Sequence, residues 1–269
     1  MLAPESRIYA YGIVRPHHAG DEQSFPAIDG VGGGPVRTLS RGGLVALISA
    51  LPEGDGPIED ALQDVERVKR MVLDHHRVLQ AVVDRCTVLP LRFGTVFGSD
   101  AGVAAALESH QQGLQEALAR VEGACEWGIK LFCDRAALQR RLEDESPTIR
   151  TARARIAATS QGRAFFLGRQ LEQALADEAD LAIDRCVADG RQALLSTARA
   201  EAVLKPQPPA IHGRAREMVW NGAFLVATAD EDRFFDCIDA LKRSHGPSGF
   251  DFECTGPWPA SSFAECHLE

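Results

Sequence analysis

Apolar and polar positions change their spacing several times along the chain, and each change marks an element. Residues 7–14 (RIYAYGIV) gather β-branched, aromatic and small residues ahead of Pro16, the composition of a strand that the proline ends. Gly30, Gly32, Gly33, Gly34 and Pro35 make a turn-rich connector into a second strand at 36–40, and Gly42-Gly43 form the tip of a hairpin into a third at 44–51. From Asp60 the interval lengthens. Ala61, Val65, Val68, Val72, Leu79 and Val83 recur at steps of three, four or seven, which predicts an amphipathic helix ending before Pro90. Leu89, Leu91, Phe93, Thr95 and Phe97 then alternate with Pro90, Arg92, Gly94 and Val96, a strand apolar on one face. Asp100 is placed to cap a helix striped by Val103, Leu107, Leu114, Leu118 and Val121. Trp127, Ile129 and Leu131 oppose Glu126, Gly128 and Lys130, a strand with a packed inner face and a wet outer one.

The order β-β-β-α-β-α-β predicts a two-layer α+β domain over residues 1–133. Residues 134–199 are charged and nearly free of Gly and Pro, with Pro147 near a helix start and Gly162 and Gly190 as breaks, which predicts an antiparallel helical hairpin. In its second arm Leu167, Leu171, Leu175, Ala179, Ile183 and Val187 step by four, a drifting stripe suited to another helix. After the stiff break Lys205-Pro-Gln-Pro-Pro209, residues 218–228 read as a strand, 231–242 as a helix with Phe234, Ile238 and Leu241 on one face, and 250–255 as a strand. The expected fold class is therefore α+β. Two small α+β domains with mixed or antiparallel sheets are joined by a long helical hairpin that belongs, with residues 200–269, to the second.

The chain has 269 residues, 45% of them apolar and 25% charged, ordinary globular composition. A formal charge of −9 disfavours nucleic acid or an anionic membrane as partner. The opening Met-Leu-Ala-Pro-Glu-Ser lacks the regions of a signal peptide, and no apolar run approaches a membrane span, so a cytoplasmic location is expected. Seven Cys include no Cys-x-x-Cys pair and read as reduced, mostly buried thiols.

Candidate chemistry is sparse. His75 and His76 point about 100° apart on a helix and cannot share a metal as an i, i+4 pair would; His75, at the spacing of Val68, Val72 and Leu79, reads as a core-edge histidine hydrogen-bonded inside the fold. The glycines at 30–34 lack the Lys-Ser/Thr of a phosphate loop and read as a hairpin connector. Cys86 reads as a small hydrophobe, and Glu66 and Asp74 as solvated charges. No catalytic residue, cofactor site or metal site is expected. Two other classes remain open: a small-molecule sensor holding a ligand between sheet and helices, and an enzyme built on a thiol such as Cys86 with a histidine brought near by folding.

Seven stretches together resemble the gas vesicle protein F/L family (GvpF/GvpL): IYAYGIV at 8–14, GGLVALIS at 42–49, HHRVLQAV at 75–82, TVLPLRFGTVF at 87–97, EWGIKLF at 126–132, NGAFLV at 221–226 and TGPWP at 255–259. They follow the family's order across almost the whole chain. One departure is visible, because the family commonly continues TGPWP with Pro-Tyr-Ser/Asn-Phe, whereas Ala260, Ser261, Ser262 and Phe263 follow here. The resemblance implies a non-enzymatic role in assembling the vesicle, an N-terminal α+β domain and a C-terminal ferredoxin-like one carrying a helical hairpin. It also implies contacts with the hydrophobic shell protein and other accessory proteins, and association with the vesicle. Within 135–199, a two-helix hairpin buries one stripe of each arm and leaves Phe165, Phe166 or Leu167 near one end, as a partner-binding surface or as a plug between hairpin and domains. Arg92, Glu126 and Lys130 are expected to pair across the sheet or with a partner, and Trp258, between two prolines, to pack the tail onto the body.

Overall fold

In the computed structural model, which describes residues 7–15, 27–52, 64–83 and 85–264, every residue of β1 (Ile8–Val14) is buried. That burial follows from its place inside a five-stranded sheet, with β3 (Leu44–Ala50) on one edge and β4 (Val88–Pro90) and β5 (Val96–Phe97) on the other. β2 (Arg37–Arg41) lies outside β3. The β2–β3 hairpin turns at Gly42 and Gly43, with φ of 59° and 72°, the positive pair that a two-residue turn demands. The β1–β3 register shifts between Ala10 and Gly12, an irregularity at Tyr11.

The alternation over 89–97 predicts one strand, and here the structure differs. The chain pairs with β1 at Pro90, leaves it, and returns at Val96. Between them Gly94 takes φ of 87° and Thr95 donates through its N–H and hydroxyl to the Arg92 carbonyl, a turn that no continuous strand accommodates. Arg92 therefore stands exposed in a turn instead of on a strand face.

Helix α1 (Val65–Val83) packs Met71, His75, Val78, Leu79 and Val82 inward; the part expected before it, from Asp60, lies outside the described residues. The helix expected after Asp100 breaks at His110 into α2 (Asp100–Ser109) and α3 (Gln111–Val121). Its cap is Ser99, whose hydroxyl accepts from the Gly102 N–H, while Asp100 pairs with Arg37 at 2.5 Å.

The chain divides into two compact units, one built from residues up to Glu126 together with the tail from Gly256, the other from Trp127–Thr255. The second sheet runs β7 (Ala200–Leu204), β8 (Glu217–Ala227), β6 (Ala124–Cys133), β9 (Phe250–Trp258), and both sheets are antiparallel. A boundary at residue 133 would group β6 with the first sheet; its hydrogen bonds are to β8 and β9. β7 is not legible as a strand in the sequence, because AEAVL is short, and as an edge strand it buries none of its residues fully. The order in this unit is β6, helices, β7, a short helical turn at Pro209–His212, β8, a helix and β9.

Between β6 and β7 the expected two-armed hairpin is three helices. Ser146 ends α4 (Arg135–Glu145) and caps α5 (Pro147–Ala157) by accepting from the Ile149 N–H, with Pro147 in the first turn where its missing N–H costs nothing. The second arm, α6 (Gln161–Leu195), runs unbroken for 35 residues. Gly190 does not interrupt it. A Cβ there would lie 3.1 Å from the Phe252 ring, so this glycine serves close packing and not a break. α7 (Glu231–His245) buries Phe234, Ile238 and Leu241, as its spacing indicated, against Ile129, Leu131, Phe224 and Phe252 of the sheet.

Candidate functional site

Three of the sequence motifs converge on one buried polar centre in the first unit. Tyr9 and Tyr11 of β1 lie under α1, their ring centroids 4.9 Å apart and each 5.7 Å from the ring of His75. Tyr9 Oη is 3.0 Å from His75 Nδ1 and accepts from the Gly94 N–H at 3.0 Å. The tautomer of the imidazole sets the direction of that bond: with its proton on Nε2, Nδ1 accepts from the Tyr9 hydroxyl, and with its proton on Nδ1 it donates to Tyr9 Oη. Tyr11 Oη lies 2.7 Å from Ser49 Oγ and accepts from the Val31 N–H at 2.7 Å. The loop 91–95 thus leaves the sheet to supply a donor to a buried phenol, and the glycine connector at 30–34 does the same for its neighbour.

Burial sets the protonation states. It holds the His75 pKa down at about 4, with His76 adding to the effect, and it pushes both tyrosines up. All three side chains are at most 4% exposed, so the centre is neutral and closed. It holds β1, α1 and the two loops together. His75 is the internally bonded histidine that its spacing indicated. Gly30 is required here, since a Cβ on it would fall 2.0 Å from Tyr11 Oη and 2.9 Å from Ser49 Oγ. Replacing Gly30 by Ala is expected to cost about 1–3 kcal/mol in urea unfolding, through displacement of that hydroxyl pair.

The remaining sequence candidates scatter. Cys86 packs half-buried against the same core, and burial pushes its thiol up, as it does Cys133 and Cys254 to about 11 and Cys186 to about 12. An activated nucleophile needs the reverse. No group of three His, Cys, Asp or Glu is placed to hold a metal among the described residues. A cleft of about 190 Å³ in the second unit, lined by Leu138, Arg141, Arg185, Cys186, His245 and Phe250, is smaller than the ~300–1,000 Å³ of a typical ligand pocket. Among the described residues, no helix is long and apolar enough to cross a membrane.

Alternation along β6 sets Glu126 on the wet face, and the structure buries it. Its carboxylate accepts from the N–H and the hydroxyl of Ser262, both at 2.8 Å, while burial pushes its pKa up. Trp258, expected to pack the tail down, is 43% exposed. The tail is held by Ala260, Ala264 and Ser262, and by Gln80 Nε2 donating to the Pro257 carbonyl.

Among the large apolar side chains that stand outside the core, two are adjacent on α6. Phe165 and Phe166 are 66% and 70% exposed, their rings 5.9 Å apart, and Leu167 beside them is half-buried. Residues 146–171 around them contain five Arg and no Asp, Glu or Lys, in a chain with 38 acidic residues. Arg163 and Arg169 form no ion pair among the described residues. The two rings therefore present apolar surface to solvent on a stretch of chain whose charges are all arginines.

Comparison with known proteins gives a coherent result. A family model described as "Gas vesicle synthesis protein GvpL/GvpF" matches residues 7–265. Gas vesicle protein L of Streptomyces sp. (strain CB03234) is 30% identical over 260 residues, covering 95% of this chain and 92% of that protein. Gas vesicle protein L1 of Halobacterium salinarum is 28% identical over 269 residues, covering 95% and 89%. The crystal structure of GvpF from Anabaena sp. PCC7120 shares the fold, with a TM-score of 0.71 at 19% identity over 97% of this chain and 99% of that one.

Proposed function

Since the chain belongs to the GvpL/GvpF family of gas vesicle proteins, we propose that it is a non-enzymatic accessory factor that acts in vesicle assembly or nucleation, binding the hydrophobic shell protein and other accessory proteins. The observation that carries this reading is the exposure of Phe165 and Phe166 on α6, beside Leu167. A hydrophobic subunit awaiting assembly needs an apolar surface offered reversibly, and the surrounding arginines keep that surface hydrated when it is free. The closed Tyr9–His75–Tyr11 centre and the raised thiols support a role without catalysis. The protein acts in the cytoplasm and joins the vesicle as it nucleates.

Replacing both Phe165 and Phe166 by Ser tests the assignment. Co-expression and pull-down should show loss of shell-protein binding, with a melting temperature within about 1 °C of the parent because neither ring is core. A fall of several degrees, or undiminished binding, would remove the surface from the proposal. Immunodetection on intact and collapsed vesicles, purified from the native host, separates a retained component from a factor that leaves.

A further inference from the structure

α6 carries a second pattern, which shares the phenylalanine pair with the shell-binding surface and continues C-terminally beyond it. On its outward side Arg163, Phe166, Arg169, Gln173, Asp177 and Asp184 follow steps of three, four or seven, one helical face, and all six are exposed. The face is segregated by charge. Its N-terminal half presents arginines and the phenylalanine pair; its C-terminal half presents Asp177 and Asp184 beside Leu181, which is 57% exposed. Like Arg163 and Arg169, Asp177 and Asp184 form no ion pair among the described residues.

The two halves mirror each other about Gln173. Arg169 and Asp177 each lie four residues from it, about 6 Å along the axis, and Phe165 and Leu181 each lie eight, about 12 Å. These five residues step by four and so form one surface ridge, and two such ridges lie side by side when helices cross at about 50°. We propose that two copies of this chain associate through antiparallel pairing of their α6 helices across a two-fold axis at Gln173. In that register Arg169 of each copy meets Asp177 of the other and the exposed phenylalanines meet Leu181, while Arg163 and Asp184 extend the same opposition of charge toward the ends. Two-fold symmetry makes every contact twice, as an isologous interface requires. A parallel register would set arginine against arginine and is disfavoured by the same charges. The pairing covers the phenylalanines of the proposed shell-binding surface, so a second copy and a shell subunit exclude each other there, and sedimentation of the chain alone tests the pairing without any shell protein present.

Sedimentation of the full-length protein at tens of micromolar tests it. The parent chain is expected to be a dimer. Arg169→Asp and Asp177→Arg each place two like charges in contact twice over, so each variant alone should be monomeric, its dissociation constant raised by about tenfold or more. Mixed in equal amounts, the two variants should form a dimer again, because the first is acidic at both positions, the second is basic at both, and each acid then faces a base. The double variant should likewise dimerise. A monomeric parent would overturn the pairing, as would single variants that dimerise like the parent or a mixture that stays monomeric.

Discussion

Lowering the pH from 7 to 4 is expected to cost the first unit about 3 kcal/mol through His75 alone. The folded pKa is about 4 against an ordinary 6.5, so the unfolded chain takes up this proton first. Stability is fully present above pH 6.5 and is lost as the pH falls toward 4, at ~1.4 kcal/mol per unit. The cause is burial: protonation would place a positive charge on an imidazole in a site closed to solvent, beside the second imidazole of His76. Urea unfolding at pH 7 and pH 4, compared between the parent and His75→Gln, isolates the effect from the carboxylates that also titrate in this range. The parent should lose about 3 kcal/mol more than the variant, and equal losses would mean that the imidazole reaches solvent.

Truncating Phe224 to Ala is expected to cost the second unit about 3–5 kcal/mol. This side chain of β8 is fully buried, and its ring stands 5.8 Å from those of both Trp220 and Phe234. Its loss opens a cavity where β8 meets α7, and the close approach of Gly222 to Trp220 leaves the strand little freedom to collapse into it. Calorimetry on the full chain should show a large fall for this variant and almost none for Phe165→Ser, though both remove a phenylalanine. Burial alone separates the two.

Periodicity disclosed the long elements because each has one face to bury. α1, α7, β1 and β8 all lie where the spacing of Val, Leu, Ile and Phe placed them. Other features escaped it, and for three of them the physical reason is plain. The turn at 92–95 follows an alternating pattern, yet a buried phenol on another strand recruits its backbone N–H, a tertiary demand that local spacing does not encode. Glu126 alternates as an outward residue, and a serine 136 positions later turns that side into an interior. α6 crosses Gly190 because the ring of Phe252 needs the room. Phe165 and Phe166 sit in a helical sequence that reads equally as core edge or as surface, and only the placement of α5 and α6 shows which side they take. The family motifs were legible throughout, and the structure explains several of them as holding the fold: IYAYGIV, HHRVLQAV and LRFG supply the parts of one closed polar centre.

Vesicle content in a strain lacking this chain tests the central proposal most directly, read as the turbidity that disappears when pressure collapses gas-filled shells. The deletion strain should show almost none. Re-expression of the parent should restore it, and re-expression of the folded Phe165→Ser, Phe166→Ser chain should not. Normal pressure-sensitive turbidity in the deletion strain would contradict a role in assembly.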